Sequence, residues 1–174
     1  MIHIYVDGSC LGNQNVDKDT PAGWGVVVIT NSNDLGRGNG EISHEFNGTV
    51  ITDSEHSNFI GAEVGSNNTA ELTAFAEALR WVLIEGFDGE IIIKTDSKYA
   101  GNQAAGAWKA KANKDLVKHV QNLWKEVSET AILSWEHVKA HSGHRWNERA
   151  DHLAVRAAMG VKPESLSFWK PGQR

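Results

Sequence analysis

The chain has 174 residues, of which 40% are hydrophobic, and it carries a formal net charge of -5. This length and composition suit one compact domain with a single core. No run approaches the roughly 18 apolar residues of a membrane span, and the N-terminus lacks the pattern of a signal peptide. A lone cysteine, Cys10, excludes an internal disulfide and any multi-cysteine zinc site. We expect a soluble cytoplasmic monomer without a membrane partner.

The first third of the chain has the composition of β-strands. Residues 2–6 are mostly β-branched or aromatic, and "GWGVVVIT" at 23–30 predicts a second strand. Turn residues at 31–40 predict that the next segment pairs back on the second strand. Within 41–65, "EISHEF", "TVIT" and "NFIGAEV" predict one or two further antiparallel strands.

From residue 67 onwards, helices and strands alternate. "NNTAELTAFAEALRWVLIEG" has apolar residues at helical spacing, and the following "EIIIKT" predicts a strand buried on both faces. The Ala- and Lys-rich segment 99–129 predicts one or two helices, with interruptions near Gly106 and Asn113. "AILSWEHVKA" predicts a strand, and "RWNERADHLAVRAAMG" predicts a last helix. We assign residues 1–160 to one domain and 161–174 to a loosely held polar tail.

The predicted order βββαβα(α)βα describes an open α/β sheet flanked by helices. A right-handed crossover can place the strand at 90–95 parallel to the first strand, on its free side. Ligands bind at such a change in winding direction, beyond the carboxyl ends of the strands. Asp7 and Asp96, which follow these two strands, are therefore expected to meet.

Four carboxylates are candidates for a metal site. Asp7 and Asp96 could instead bond turn amides, as Asp commonly does in "DGS" and "TDS" sequences. Glu71 could complete a capping box with Asn68 as N-cap, and Asp151 could favour the positive end of its helix. Clustered carboxylates repel one another, and a divalent cation held by oxygen ligands would relieve that repulsion.

The histidines and the charge distribution leave alternatives open. His137, His141 and His144 have spacings that could suggest zinc, although His141 on a loop fits proton transfer better. Residues 41–96 hold eleven acids against two bases, whereas 98–125 holds six lysines against one acid. That basic segment is either a solvated helix face or a phosphate-binding surface.

Four motifs together resemble type 1 ribonuclease H. They are "VDGSCLGN" (6–13), "NNTAEL" (67–72), "TDSKY" (95–99) and "WEHVKAHSGHRWNERADHLA" (135–154). The resemblance implies a ribonuclease H-like fold with a five-stranded mixed sheet in the order 3-2-1-4-5, with an extra β segment or loop near residues 31–65. It also implies an endonuclease that cuts the RNA strand of RNA-DNA hybrids and leaves 5'-phosphate and 3'-hydroxyl ends.

The resemblance extends to individual site residues. Asp7, Glu71, Asp96 and Asp151 match the four metal-binding carboxylates of the family, which would hold two Mg²⁺ ions, with Mn²⁺ as a substitute. His141 matches the loop histidine, which would assist proton movement or product departure. Gly8 and Ser9 are interpreted as allowing the nucleic acid to approach the backbone.

Substrate contacts are implied for a further set of residues: Asn13, Ser66, Asn67, Asn68, Lys98, Trp108, Lys109, Lys111, Lys114 and Trp124. The alternative for the two tryptophans is a place in the core. The chain departs from the family pattern by the insertion "QNVDKDTPA" and by a shortened basic protrusion, which puts affinity in doubt. A non-catalytic hybrid-binding module, a related nuclease or strand-transfer domain, and a purely structural domain are the alternative functions.

Overall fold

The computed structural model describes residues 1–173. One five-stranded sheet has the order β3-β2-β1-β4-β5, as the resemblance implied. The strands are β1 Ile2–Cys10, β2 Ala22–Thr30, β3 Glu41–Thr49, β4 Glu90–Thr95 and β5 Ile132–His137. The helices are α1 Asn67–Glu85, α2 Lys98–Ala104, α3 Lys114–Ser128 and α4 Arg145–Met159.

β1 is central and pairs differently with its two neighbours. It is antiparallel to β2 over its full length, but its parallel ladder with β4 ends at the Val6–Thr95 pair. Asp7 therefore lies inside β1, opposite Gly25 of β2, and not after the end of the strand as we expected. Continued pairing with β2 satisfies the backbone there. Asp7 is the first residue of β1 beyond the carboxyl end of β4.

The segment 31–65 contains one strand, β3. The stretches "TVIT" and "NFIGAEV" do not continue the sheet, so only the first of the three predicted strand candidates forms. Instead, the segment is held by the inserted loop, because Thr52 Oγ1 donates to Lys18 O at 2.6 Å. The Gly65 amide likewise donates to Asp17 O at 2.9 Å.

Two apolar layers cover the sheet. The larger one lies between the sheet and α1, α2 and α3, and it contains Ile4, Phe75 and Leu116. The smaller one lies under α4, where Tyr5 of β1 packs with Trp146 and neighbouring apolar residues. Within residues 1–173, no helix is both long enough and apolar enough to cross a membrane.

The N-cap of α1 differs from the one we expected. Ser66, and not Asn68, is the N-cap, and its hydroxyl accepts from the Thr69 amide at 3.0 Å. The Thr69 hydroxyl in turn accepts from the Ser66 amide at 2.9 Å, which completes a capping box. Both positions carry a good N-cap residue, and the reciprocal Thr69 bond selects Ser66. Glu71 therefore has no capping role.

The segment after residue 160 is not loosely held, because it packs on α4. The Trp169 side chain is buried, and its ring lies 5.2 Å from the Arg149 guanidinium carbon. Arg149 also donates to Glu164 O at 2.9 Å, and the Glu164 amide donates to His152 Nε2 at 3.0 Å. A domain boundary at residue 160 stays a prediction.

Candidate metal-binding active site

The two strand-borne aspartates meet Glu71 where β1 extends past β4. Carboxylate oxygens of Asp7, Glu71 and Asp96 lie within 4.8 Å of one another. Asp7 and Glu71 are buried, and Asp96 is partly buried. This confirms that Asp7 and Asp96 meet, at the change in winding direction where α/β sheets bind ligands.

Glu71 reaches the cluster because α1 lies directly against β1 at Gly8. A Cβ on Gly8 would lie 2.4 Å from the Glu71 backbone nitrogen, so only glycine allows this contact. That nucleic acid approaches the backbone at Gly8 and Ser9, which line the carboxylate cavity, stays a prediction. The structure gives Gly8 a further role. Its missing side chain makes room for the backbone of α1 and so places Glu71 beside Asp7.

α4 brings Asp151 to the same place by close contact with β2. A Cβ on Gly25, the partner of Asp7 across the sheet, would lie 2.5 Å from Ala150 O. Asp151 is buried, and it forms a second group of ligand atoms within 4.8 Å together with His141 and Glu148. The four predicted carboxylates and His141 line one open cavity of about 450 Å³.

The site concentrates negative charge away from water. Burial, with the charges of Glu71 and Asp96, raises the pKa of Asp7 well above its ordinary value. Burial and the charge of Asp96 raise the pKa of Glu71 to about 8, although its hydrogen bond with Asp7 acts the other way. Burial also raises the pKa of Asp96, against a hydrogen bond from Asn147.

A divalent metal cation bound between Asp7, Glu71 and Asp96 would relieve the repulsion between these carboxylates. No Lys or Arg in the described part of the chain pairs with Asp7, Glu71 or Asp96. The Glu71 Oε2 atom is buried and accepts no hydrogen bond. An all-oxygen donor set of this kind fits a hard divalent cation better than it fits zinc.

The histidine triplet that could have suggested zinc does not form a site. His141 has a left-handed backbone conformation with φ of 51° and lies at the rim of the carboxylate cavity. His144 is instead the N-cap of α4, where its Nδ1 accepts from the Asn147 amide at 3.5 Å. Among the residues described, the potential metal-binding groups combine His141 only with Glu148 and Asp151.

Two of the predicted substrate residues line the same cavity, and a third is hydrogen-bonded to one of them. Asn67 and Asn68, at the start of α1, line the cavity together with the carboxylates. Asn13 Oδ1 accepts from the Asn67 amide at 3.1 Å, which ties the β1–β2 loop to α1. Ser66 uses its hydroxyl as the α1 N-cap.

The basic segment borders a second cavity, of about 530 Å³, which shares Asn68 with the first. Trp108, which is 48% exposed, lines it together with Lys109 and Lys111. The other predicted contacts lie elsewhere. Lys98 is exposed at the start of α2, Lys114 lines a neighbouring cavity at the start of α3, and Trp124 packs on the larger core.

Three further residues at the site were not identified from the sequence. Asn147 Nδ2 donates to Asp96 Oδ2 at 3.4 Å, a contact between elements that no local pattern indicates. Glu148 could have been found, because it lies three residues before Asp151 on one helix face. Asn113, which lines the second cavity, has φ of 53°, a conformation that asparagine tolerates well.

Comparisons with known proteins identify the family of the chain. The RNase H family model matches residues 1–159. The ribonuclease H of Enterobacter sp. (strain 638) is 33% identical over 182 residues, covering 98% of this chain and 97% of its own length.

Solved structures agree with the fold. RNase H1 from Halobacterium salinarum NRC-1 has a TM-score of 0.64 at 28% identity, covering 92% of this chain and 98% of its own. LC11-RNase H1, solved in complex with an RNA/DNA hybrid, has a TM-score of 0.64 at 23% identity, with coverages of 92% and 98%.

The mixed five-stranded sheet in this order, flanked by four helices, matches the fold of the solved RNase H1 structures. The chain belongs to the ribonuclease H family, and it is a ribonuclease H enzyme.

Proposed function

We propose that this chain hydrolyses the RNA strand of RNA-DNA hybrids as an endonuclease and leaves 5'-phosphate and 3'-hydroxyl ends. The observation that carries the proposal is the convergence of Asp7, Glu71, Asp96 and Asp151 with His141 at one cavity. The family supports this chemistry, and the hybrid complex of LC11-RNase H1 supports the choice of substrate. We propose that a monomer suffices, since one chain supplies all five residues.

Mg²⁺ is the proposed metal, with Mn²⁺ as a substitute, and the four carboxylates would hold two ions. When bound, the ions would activate the attacking water and stabilise charge on the departing 3'-oxygen. The buried, unpartnered Glu71 Oε2 and the raised pKa values of Asp7 and Glu71 support a cation at this position.

The chain's own residues orient the reactants and handle protons. The Gly8 amide donates to Asp7 Oδ1 at 2.9 Å, and Asn147 donates to Asp96, so both carboxylates have a fixed orientation. His141 lines the same cavity, where a ring nitrogen can donate a proton to the leaving oxygen or accept one.

The cavity edges explain how a hybrid would be distinguished from other duplexes. Asn67 and Asn68 offer amide groups next to the carboxylates, where they can bond the 2'-hydroxyls that only RNA carries. Asn13, bonded to the Asn67 amide, supports that edge. Lys109 and Lys111 border the second cavity and would attract phosphates of the DNA strand.

A cleavage assay tests the proposal. Purified protein is given labelled RNA-DNA hybrid, RNA duplex and DNA duplex, each with Mg²⁺, Mn²⁺ or EDTA. Metal-dependent cleavage confined to the RNA of the hybrid is expected, and Asp7→Asn should lower its rate by at least about a hundredfold, as loss of a key electrostatic group does.

The same assay separates the alternatives. Undiminished cleavage by Asp7→Asn, or no RNA cleavage by the wild type in either metal, would contradict the proposal. Tight hybrid binding without turnover would indicate a binding module. Cutting or joining of DNA would indicate a related nuclease or strand-transfer domain.

A further inference from the structure

The loop between β2 and β3, residues 31–40, is attached to the start of α4. The Arg37 carbonyl accepts from the Arg145 amide at 2.7 Å. Trp146 Nε1 donates to the Asn39 carbonyl at 2.8 Å. This attachment fixes a loop that is distant in sequence beside the helix that carries Asp151.

The attachment also places the Arg37 side chain against the loop that carries His141. A Cβ on Gly143 would lie 3.2 Å from the Arg37 guanidinium. Gly143 belongs to the β5–α4 loop, residues 138–144, which is itself folded tightly, since Ser142 Oγ donates to Lys139 O at 2.8 Å. Arg37 therefore extends the surface of that loop.

Three cations surround this loop, and we call them the loop cations: Arg37, Lys139 and Arg145. All three side chains are exposed, and none forms an ion pair with a carboxylate within residues 1–173. The Arg145 guanidinium carbon lies 4.7 Å from the centre of the Trp146 ring, which keeps this charge at the start of α4. Three unpaired cations around one short loop stand out in a chain with a net charge of -5.

The β5–α4 loop that these cations surround borders the carboxylate cavity, although Arg37, Lys139 and Arg145 are not among the residues that line it. Ala140 and His141 of the loop line one edge of that cavity. Asn68 lines another edge and leads into the cavity bordered by Lys109 and Lys111. A polyanion that extends from the carboxylates over Ala140 and His141 would meet the loop cations, and one that extends past Asn68 would meet Lys109 and Lys111.

We propose that Arg37, Lys139 and Arg145 form a second phosphate-binding surface, which holds the nucleic-acid backbone as it leaves the active site over the β5–α4 loop. This inference rests on the proposed function. It assigns substrate binding to the β2–β3 loop and predicts that the hybrid is held on both sides of the carboxylates. Charge neutralisation by these residues would add to the salt dependence of binding.

Hybrid binding at a series of salt concentrations tests this surface. Asp7→Asn serves as background to prevent turnover, and fluorescence anisotropy of a labelled hybrid gives the affinity. Replacing all three loop cations by Gln should reduce the slope of log K against log salt by about two to three, since each phosphate contact contributes about 0.9. Affinity at low salt should fall at least about tenfold.

Two control variants distinguish the loss of a phosphate contact from a change in net charge and from a loss of folding. Lys162→Gln removes one exposed charge beyond the far end of α4, about 20 Å from Arg145, and should leave the slope unchanged. Arg37→Lys keeps the charge and should keep most of the slope. A wild-type slope in the triple variant, or an equal loss in Lys162→Gln, would overturn the proposal.

A parallel cleavage assay of the wild-type chain separates this inference from the proposed function. If the wild type fails to cut the hybrid, the proposed function fails. If it cuts the hybrid and the triple variant keeps the wild-type salt slope, only the second phosphate-binding surface is wrong.

Discussion

Two charged clusters lie next to each other at the end of β4, and they differ in how their charges are balanced. In the lysine cluster, buried Lys94 donates to Asp34 at 3.0 Å and to Glu136 at 2.5 Å. Two residues after Lys94, Asp96 meets Asp7 and Glu71, and none of these three has a Lys or Arg partner among the residues described. The first cluster balances its charges within the protein, whereas the second needs a proton or a cation from outside.

The difference separates a structural role from a functional one. A buried ion pair contributes little net stability, because desolvation offsets the attraction, but removing one partner is costly. A cluster of acids alone destabilises the protein until a cation binds. Removing a charge from the balanced cluster should therefore lower the free energy of unfolding. Removing a charge from the acidic cluster should raise the free energy of unfolding of the metal-free protein and abolish catalysis.

The largest effect on stability is expected at a second balanced cation, Arg149. Its side chain is 2% exposed, it pairs with Glu45 at 2.6 Å, and it lies over Trp169 of the C-terminal segment. Arg149→Ala should lower the free energy of unfolding by roughly 3 kcal/mol, since it breaks a buried pair. Urea unfolding measures this value.

An exposed ion pair provides the matched control for Arg149. Arg80 pairs with Glu77 at 3.6 Å on the surface of α1, with 56% of its side chain exposed. Arg80→Ala should cost no more than about 1 kcal/mol. Equal losses in the two variants would show that the C-terminal segment and Glu45 contribute nothing through Arg149.

The lysine cluster should show a smaller effect that depends on the replacement. Lys94→Ala removes a buried aliphatic stem and should cost about 2 kcal/mol, as truncation of a buried side chain does. Lys94→Met keeps the volume and should stay within about 1 kcal/mol of the wild type, because Asp34 and Glu136 are half exposed and remain hydrated.

The cleavage assay completes this test. Lys94→Met should cut the hybrid at the wild-type rate. Loss of cleavage in a folded Lys94→Met protein would mean that the lysine cluster also contributes to catalysis, which would contradict the separation of a structural cluster from a functional one.

The parts of the fold that the sequence predicts are those with a local signal. α1 shows helical periodicity and is capped by Gly86 in the left-handed conformation. In the apolar run of β4, Ile91 and Ile93 are buried as expected, and Ile92 is partly buried. The proximity of Asp7 and Asp96 followed from the rules for strand connections, because a right-handed crossover places β4 on the free side of β1. Four spaced motifs then indicated the family.

The parts that the sequence did not predict depend on contacts between distant segments. Trp169 stands in a stretch without periodicity, and only the fold shows that Arg149 is there to receive its ring. The contact of Asn147 with Asp96 joins α4 to the end of β4. β1 continues past Val6 because β2 pairs with it, which an isolated strand pattern cannot show.

The acidic cluster predicts a pH dependence of opposite sign to that of an ordinary paired carboxylate. The pKa of Glu71 is raised from 4.5 to about 8, so in metal-free protein its ionisation destabilises the fold as pH rises through that window. Glu71→Gln cannot ionise, and its stability relative to the wild type should increase from pH 5 to pH 8. An increase of about 1 kcal/mol would raise Tm by roughly 2–4 °C.

Thermal unfolding in EDTA measures the difference between the two proteins at each pH, so that shared histidine effects cancel. Mg²⁺ should then raise the Tm of the wild type more than that of Glu71→Gln, because a ligand stabilises the state that binds it. A difference in Tm between the two proteins that stays constant or shrinks with rising pH would mean that the surroundings of Glu71 do not raise its pKa.

The smallest expected effect on stability concerns exposed lysines that form no contact within the described part of the protein that would stabilise the fold. Lys109 and Lys111 border the cavity that Asn68 shares with the active site, whereas Lys118 is exposed on α3 and lines none of these cavities. Replacing the first two by Ala should leave Tm unchanged and lower the salt slope of hybrid binding by about two. Lys118→Ala should not change the slope. Because all three lysines carry the same charge in one basic segment, a difference between their effects would indicate contact with the hybrid. Equal slopes would mean that Lys109 and Lys111, in the loop between α2 and α3, form only a solvated surface.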